Sequence, residues 1–278
     1  MTIKSDEEDD LNFMNVLQGD VLEEEEEGRE ATLVGEDTDV QEELEQHYFL
    51  GSIKSSVMIR QVPSEGIPFK LWPAAKSLVN HLDKYRLDPS SSPLTLIFSA
   101  FSNVSQNSPL RILELGSGTG LVGITAAATL GASVTLTDLP YVVPNLQFNV
   151  DANCNTLTLN GGTINVAALR WGEAEDMESI GREFDLLLAS DVVYQDHLFD
   201  PLLKTLQFYL RNNTVFVMAH LKRWKKKDSV FFKKARKLFD IDMIHSDPPS
   251  SGSRIGVAVY HFKCKCQDGS KSKINVCS

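Results

Sequence analysis

The chain has 278 residues, 42% of them hydrophobic, enough to bury the core of one large α/β domain. Its formal charge of -11 is concentrated at one end: residues 1–47 hold 18 acidic and 2 basic groups, which leaves the remainder slightly basic at +5. No run approaches the roughly 18 apolar residues of a membrane span, and the acidic start lacks the basic and apolar regions of a secretory signal, so a cytoplasmic chain is expected, with the nucleus also open.

The first segment contains "DEEDD" and "EEEEE" and has no sustained hydrophobic period. It cannot offset the entropy of ordering itself and reads as a disordered acidic tail over 1–47. In "HYFLGSIKSSVMIRQ" (47–61), β-branched and aromatic residues alternate around Gly51 and Ser52, which predicts a hairpin. "LWPAAKSLVNHLDKY" (71–85) places Ala74, Leu78 and Leu82 four apart behind Pro73, so a helix is expected after Trp72. "LTLIFSAF" is apolar without a decisive period.

Strands are then predicted at 110–115, 132–137, 163–169, 184–189, 214–219, 241–245 and 256–262, and helices at 120–130, 141–153, 198–210 and 228–239. This alternation implies an α/β, Rossmann-like seven-stranded sheet, mostly parallel, with helices on both faces. The loop "SDPPSSGSR" before the last strand permits an antiparallel return. A domain over 48–263 and a short C-terminal tail over 264–278 follow. Cys154, Cys264, Cys266 and Cys277 lack CxxC spacing, so reduced thiols and no metal are expected.

The chemistry is signalled where the first core strand ends, in "RILELGSGTGLVGITAA" (111–127). In an open parallel sheet, ligands bind beyond the carboxyl ends of the strands, and a turn without Cβ atoms lets a ligand approach the main chain. The glycines Gly116, Gly118 and Gly120 are spaced G-x-G-x-G, with Leu121 where a dinucleotide fingerprint has its third glycine. Glu114, two residues earlier, is a poor neighbour for a pyrophosphate and a better one for a cation. S-adenosylmethionine, with sulfonium and ammonium charges, therefore fits better than NAD. At the end of the next strand Asp138 can accept hydrogen bonds from both ribose hydroxyls of an adenosine, a role common to both cofactors.

The segments "LWPAA", "ILELGSGTGLVGI", "VTLTDLP", "VPNLQFNVDAN", "LRWG" and "FDLLLASDVVY" occur in one order across 48–262. In this the chain resembles the seven-strand S-adenosylmethionine-dependent methyltransferases, and more closely the methyltransferase-like 21 group of protein-lysine methyltransferases. The resemblance implies Trp72 near the cofactor, Gly116, Ser117 and Gly118 on its methionine part, Asp138 on the ribose, Trp171 beside the adenine and Ser190 lining the site. It also implies a lysine-bearing protein substrate, of the chaperone, ATPase or translation-factor kind. A monomer is expected, with no membrane and no nucleic acid as partners. Asn149 and Asn153, four apart on one helix face, read as structural.

"SDVVY" (190–194) sits at the carboxyl end of a strand, where residues face a cofactor methyl. Asp191 there could orient an incoming ammonium and receive its proton, and Tyr194 could supply a π face or hydroxyl. "DPPS" (247–250) follows the sixth strand and reads as a turn away from the site. The basic run "LKRWKKK" (221–227) reads as a solvated helix face backed by Phe231, Phe232, Ala235 and Leu238. Two other functions stay open on the residues alone, an N-methyltransferase of a small amine or nucleobase and a non-catalytic cofactor-binding module.

Overall fold

The computed structural model describes residues 43–102, 108–211, 213–223, 225–249 and 255–265; most of the acidic tail, Cys266 and Cys277 lie outside them. Residues 44–61 form the expected hairpin, β1 (Leu44–Leu50) against β2 (Ser55–Gln61). It begins four residues before the expected domain boundary, because Leu44 pairs with Gln61 and Gln61 Nε2 donates to Gln46 Oε1 at 3.2 Å. Asp83 closes the turn by accepting from the Gly51 and Ser52 N–H groups at 3.0 and 2.9 Å.

The helix after Trp72 is α1 (Pro73–Leu87), with Pro73 in its first turn and Ala74, Leu78 and Leu82 fully buried. The aperiodic run forms a short helix, α2 (Thr95–Ser102). Then follow β3 (Arg111–Leu115), α3 (Leu121–Leu130), β4 (Ser133–Asp138), α4 (Val143–Ala152), α5 (Cys154–Thr158), β5 (Thr163–Ala168), α6 (Ala174–Ile180), β6 (Leu186–Ser190), α7 (Phe199–Tyr209), β7 (Val215–Leu221), α8 (Lys225–Leu238), β8 (Phe239–Ser246) and β9 (Val257–Cys264). β9 runs two residues past its expected end, paired through Cys264 with Phe239.

The seven-stranded sheet has the order β5-β4-β3-β6-β7-β9-β8, parallel except for β9, which runs antiparallel to both neighbours. Two-residue alternation divides its core. Ile112, Leu186 and Leu188 pack with α1, α3 and α4 on one face; Leu113, Leu187 and Ala189 pack with α7 and α8 on the other. No helix among the described residues is long and apolar enough to cross a membrane.

The hairpin docks through an asparagine ladder. Asn149 accepts from Arg60 N–H at 2.8 Å and donates to Arg60 O at 3.1 Å; Asn153 treats Met58 likewise at 2.8 and 2.6 Å. Four residues of helix rise about 6 Å and two of strand nearly 7 Å, so amides spaced four apart can pair with alternate residues of β2. The structural reading of this pair therefore has a definite basis: both amides replace a missing neighbouring strand. Asn149 also donates to Thr119 O at 2.9 Å, coupling the hairpin to the glycine turn.

Candidate active site

Beyond the carboxyl ends of β3, β4, β5 and β6 lies a cavity of about 360 Å³. The turn after β3 forms its floor. Gly118 has φ +56°, and a Cβ there would meet the Pro68 carbonyl oxygen at 2.9 Å, so the position needs glycine for both conformation and space. A Cβ on Gly116 would lie 3.0 Å from the Trp171 ring and from Val192, which places that indole directly over the turn.

Trp72, Gly116, Ser117, Gly118, Asp138, Trp171, Ser190, Asp191 and Tyr194 all line this cavity, brought together from five segments of the chain. Asp138 accepts from Gly118 N–H and Leu139 N–H, each at 2.7 Å. Burial nevertheless pushes its carboxyl up to about 6, against those two bonds. Ser117 holds the turn on β4: its N–H donates to Thr137 O, and its hydroxyl accepts from Thr137 N–H at 3.1 Å. Trp72 caps α1 and donates from Nε1 to Ile67 O at 3.0 Å.

Two expected contact residues lie elsewhere. Gly120, at φ +84°, starts α3 beneath the turn, where a Cβ would strike Leu146. Glu114 shares the face of Ile112 and is covered by α3; its Oε2 accepts from Gly123 N–H at 3.0 Å. Burial pushes its carboxyl up to about 8, with the Asp138 charge adding and Ser117 and Gly123 opposing. It is therefore mostly protonated at neutral pH. The expected cavity contact of Glu114 is thus corrected to a buried support under the turn, through its bond from Gly123 N–H.

A raised carboxyl pKa stabilises the fold fully below the unfolded value, near 4.5, and this contribution is lost as pH rises through about 8. Glu114→Gln keeps the acceptor for Gly123 without the ionisation. Wild type is expected to lose on the order of a few kcal/mol between pH 5 and 9 that the variant retains. Denaturant midpoints across that range check this, and parallel curves would contradict it.

Asp191 is the strained residue of the site. It has φ +62°, one of two non-glycine residues with positive φ among the described residues. It is held there by its own N–H to Ala219 O at 2.9 Å and by Leu221 N–H to its Oδ1 at 3.2 Å. A strained, buried carboxylate in a cavity wall is characteristic of functional positions. Its Oδ2 accepts from Arg223 Nη2 at 2.7 Å, with both side chains at least nine-tenths buried, and the same guanidinium lies 5.1 Å from the Trp72 ring centroid.

Behind Asp191, the fully buried His220 has Nδ1 3.8 Å from Asp191 Oδ1 and Nε2 3.2 Å from Asp228 Oδ1. Arg223, His220 and Asp228 were not among the expected site residues. Arg223 is hidden in a basic run whose Lys225, Lys226 and Lys227 form the exposed start of α8, whereas a histidine inside the apolar strand "VFVMAHL" is a usable signal.

The family model described as lysine methyltransferase matches residues 52–238. This chain belongs to that family. The match spans the hairpin's second strand, the glycine turn, Asp138 and the Asp191 segment, and ends with α8. Among curated relatives of this family member, protein N-lysine methyltransferase METTL21A of Mus musculus is 40% identical over 49% of this chain and 60% of its own length. Protein-lysine methyltransferase METTL21E of Bos taurus is 36% identical over 56% of this chain and 54% of its own. Protein-lysine N-methyltransferase rrg1 of Schizosaccharomyces pombe is 31% identical over 59% of this chain and 50% of its own. The chain thus spans between half and three-fifths of the length of these relatives.

Proposed function

We propose that this protein transfers a methyl group from S-adenosylmethionine to a lysine side chain of another protein. The observation that carries the reading is Asp191, a strained buried carboxylate in the wall of the cavity that also holds Asp138 and the glycine turn. Asp138 would accept the ribose hydroxyls, Gly116 to Gly118 would admit the methionine part against the main chain, and Trp171 would flank the adenine. The cofactor supplies an activated sulfonium carbon, so the chain's own work is alignment and the delivery of a neutral amine.

A lysine with pKa about 10.4 costs about 4 to 5 kcal/mol to deprotonate near neutral pH. Asp191 would orient the incoming ammonium and take its proton as the amine lines up on the methyl carbon, with Tyr194 also in the cavity wall. Arg223 and the Leu221 N–H hold the carboxylate in position, so its direction need not be found at each turnover. A protein acceptor suits the rim, where the lining residues Leu139 and Tyr141 are 39% and 55% exposed and offer apolar contact at the cavity mouth. The relatives' names supply the same reading.

The test is transfer of labelled methyl into a cell extract, with products separated by size. Label in a discrete protein band is the expected result. Label confined to small molecules would replace this reading with that of a small-amine methyltransferase.

A further inference from the structure

Of the "DPPS" turn, Asp247 to Pro249 are described and do not line the cavity, while Ser250 lies outside the described residues. The turn's aspartate nevertheless joins a second cluster on the far side of α1. Asp247 Oδ1 lies 3.0 Å from His245 Nε2, its Oδ2 lies 3.7 Å from His81 Nε2, and Ser77 donates its hydroxyl to the same Oδ2. The two imidazoles meet edge to face with centroids 4.5 Å apart. A β-bulge between Met243 and His245 breaks the register of β8 at this point, a device that re-aims side chains next to functional positions.

His81 marks this cluster as more than a surface ion pair. It is 3% exposed, and neither ring nitrogen has a hydrogen-bond partner. A buried imidazole in that state carries an uncompensated desolvation cost, which a bond from one nitrogen to a metal removes.

We infer that His81, His245 and Asp247 form a zinc site joining α1 to the end of β8. Two imidazoles and a carboxylate are donors that zinc accepts, and three protein ligands leave a fourth position for water. One donor atom from each residue lies within 4.8 Å of the others. Zinc bonds of about 2.0–2.2 Å at tetrahedral angles put donors roughly 3.3–3.6 Å apart, so closing the set takes a shift of about 1 Å in one ring. His245, whose side chain is 36% exposed, has room to make it. Ser77 holds the carboxylate from behind, the usual outer support of a ligating group. The expectation of no metal rested on cysteine spacing alone; this site is built from histidines distant in sequence.

The site adjoins a functional element, since α1 carries Ala75 in the cavity wall and is capped by Trp72. Zinc would therefore tie the helix bordering the proposed cofactor cavity to the sheet edge.

The test uses the full chain, stripped by chelator and titrated with Zn²⁺ and, for its spectrum, Co²⁺. One equivalent per chain is expected, with no thiolate charge-transfer band. Affinity should fall at least about 10-fold in His245→Ala and in Asp247→Asn, and survive Cys264→Ser with Cys266→Ser. Saturating zinc should raise the melting temperature of wild type by about 5 °C or more, but not of the two variants, whose metal-free melting temperatures serve as the folding control. No bound zinc, binding unchanged in both variants, or binding lost with the cysteines would overturn the assignment. None of these readouts depends on methyl transfer.

Discussion

Asp191→Asn is expected to lower methyl transfer to a protein acceptor by about 10²- to 10⁴-fold while leaving affinity for S-adenosylmethionine nearly unchanged. Asparagine is the informative replacement because it tolerates the left-handed backbone at φ +62° and keeps an acceptor for Leu221 N–H. What it removes is the charge. The same change removes the charge opposite Arg223, which is paired with Asp191 in a nearly dry environment, and breaking such a pair costs about 3–5 kcal/mol. Stability must therefore be separated from catalysis. A double variant, Asp191→Asn with Arg223→Gln, should recover much of the lost melting temperature and none of the activity. Recovery of activity along with stability would show that Asp191 is a structural anchor only.

Asp138→Ala is expected to weaken S-adenosylmethionine binding by about 100-fold, the loss of two hydrogen bonds to a charged acceptor at about 1.5 kcal/mol each. Because burial raises this carboxyl to about 6, wild-type affinity should also fall as pH drops through that value, where the acceptor becomes neutral. The variant should show no such step. Calorimetric titration from pH 5 to 8 reads both effects, and a pH profile shared by the two proteins would place the ribose elsewhere.

Much of the fold was legible because its signals are local. Strand and helix periods alternate along the core, and the glycine spacing marks the turn that the structure places under the cavity. "LTLIFSAF" was not legible, since an apolar run of one helical turn or two carries no period that distinguishes it from a buried strand. The hairpin's start at Leu44 was obscured by the acidic residues around it; only pairing with β2 makes that stretch a strand.

Apart from Trp72, which caps α1, the residues that line the cavity each lie at a strand end or in the turn after it, a placement the chain order implies. Glu114 failed as a charged group because its ionisation depends on being covered by α3, which neighbouring residues do not reveal. Arg223 failed for a related reason: its partner is 32 positions away, and its own neighbours look like a solvated helix face. Long-range burial and pairing decide charge states, and they are the part of a site a single sequence shows least.

The most direct test of lysine methylation is chemical. Protein labelled by this chain with isotopic S-adenosylmethionine would be hydrolysed to amino acids and the label assigned by mass spectrometry. The account predicts label in Nε-methylated lysine, present with wild type and absent with Asp191→Asn. Label on arginine, histidine or a carboxyl group, or lysine label that persists undiminished in the variant, would contradict it.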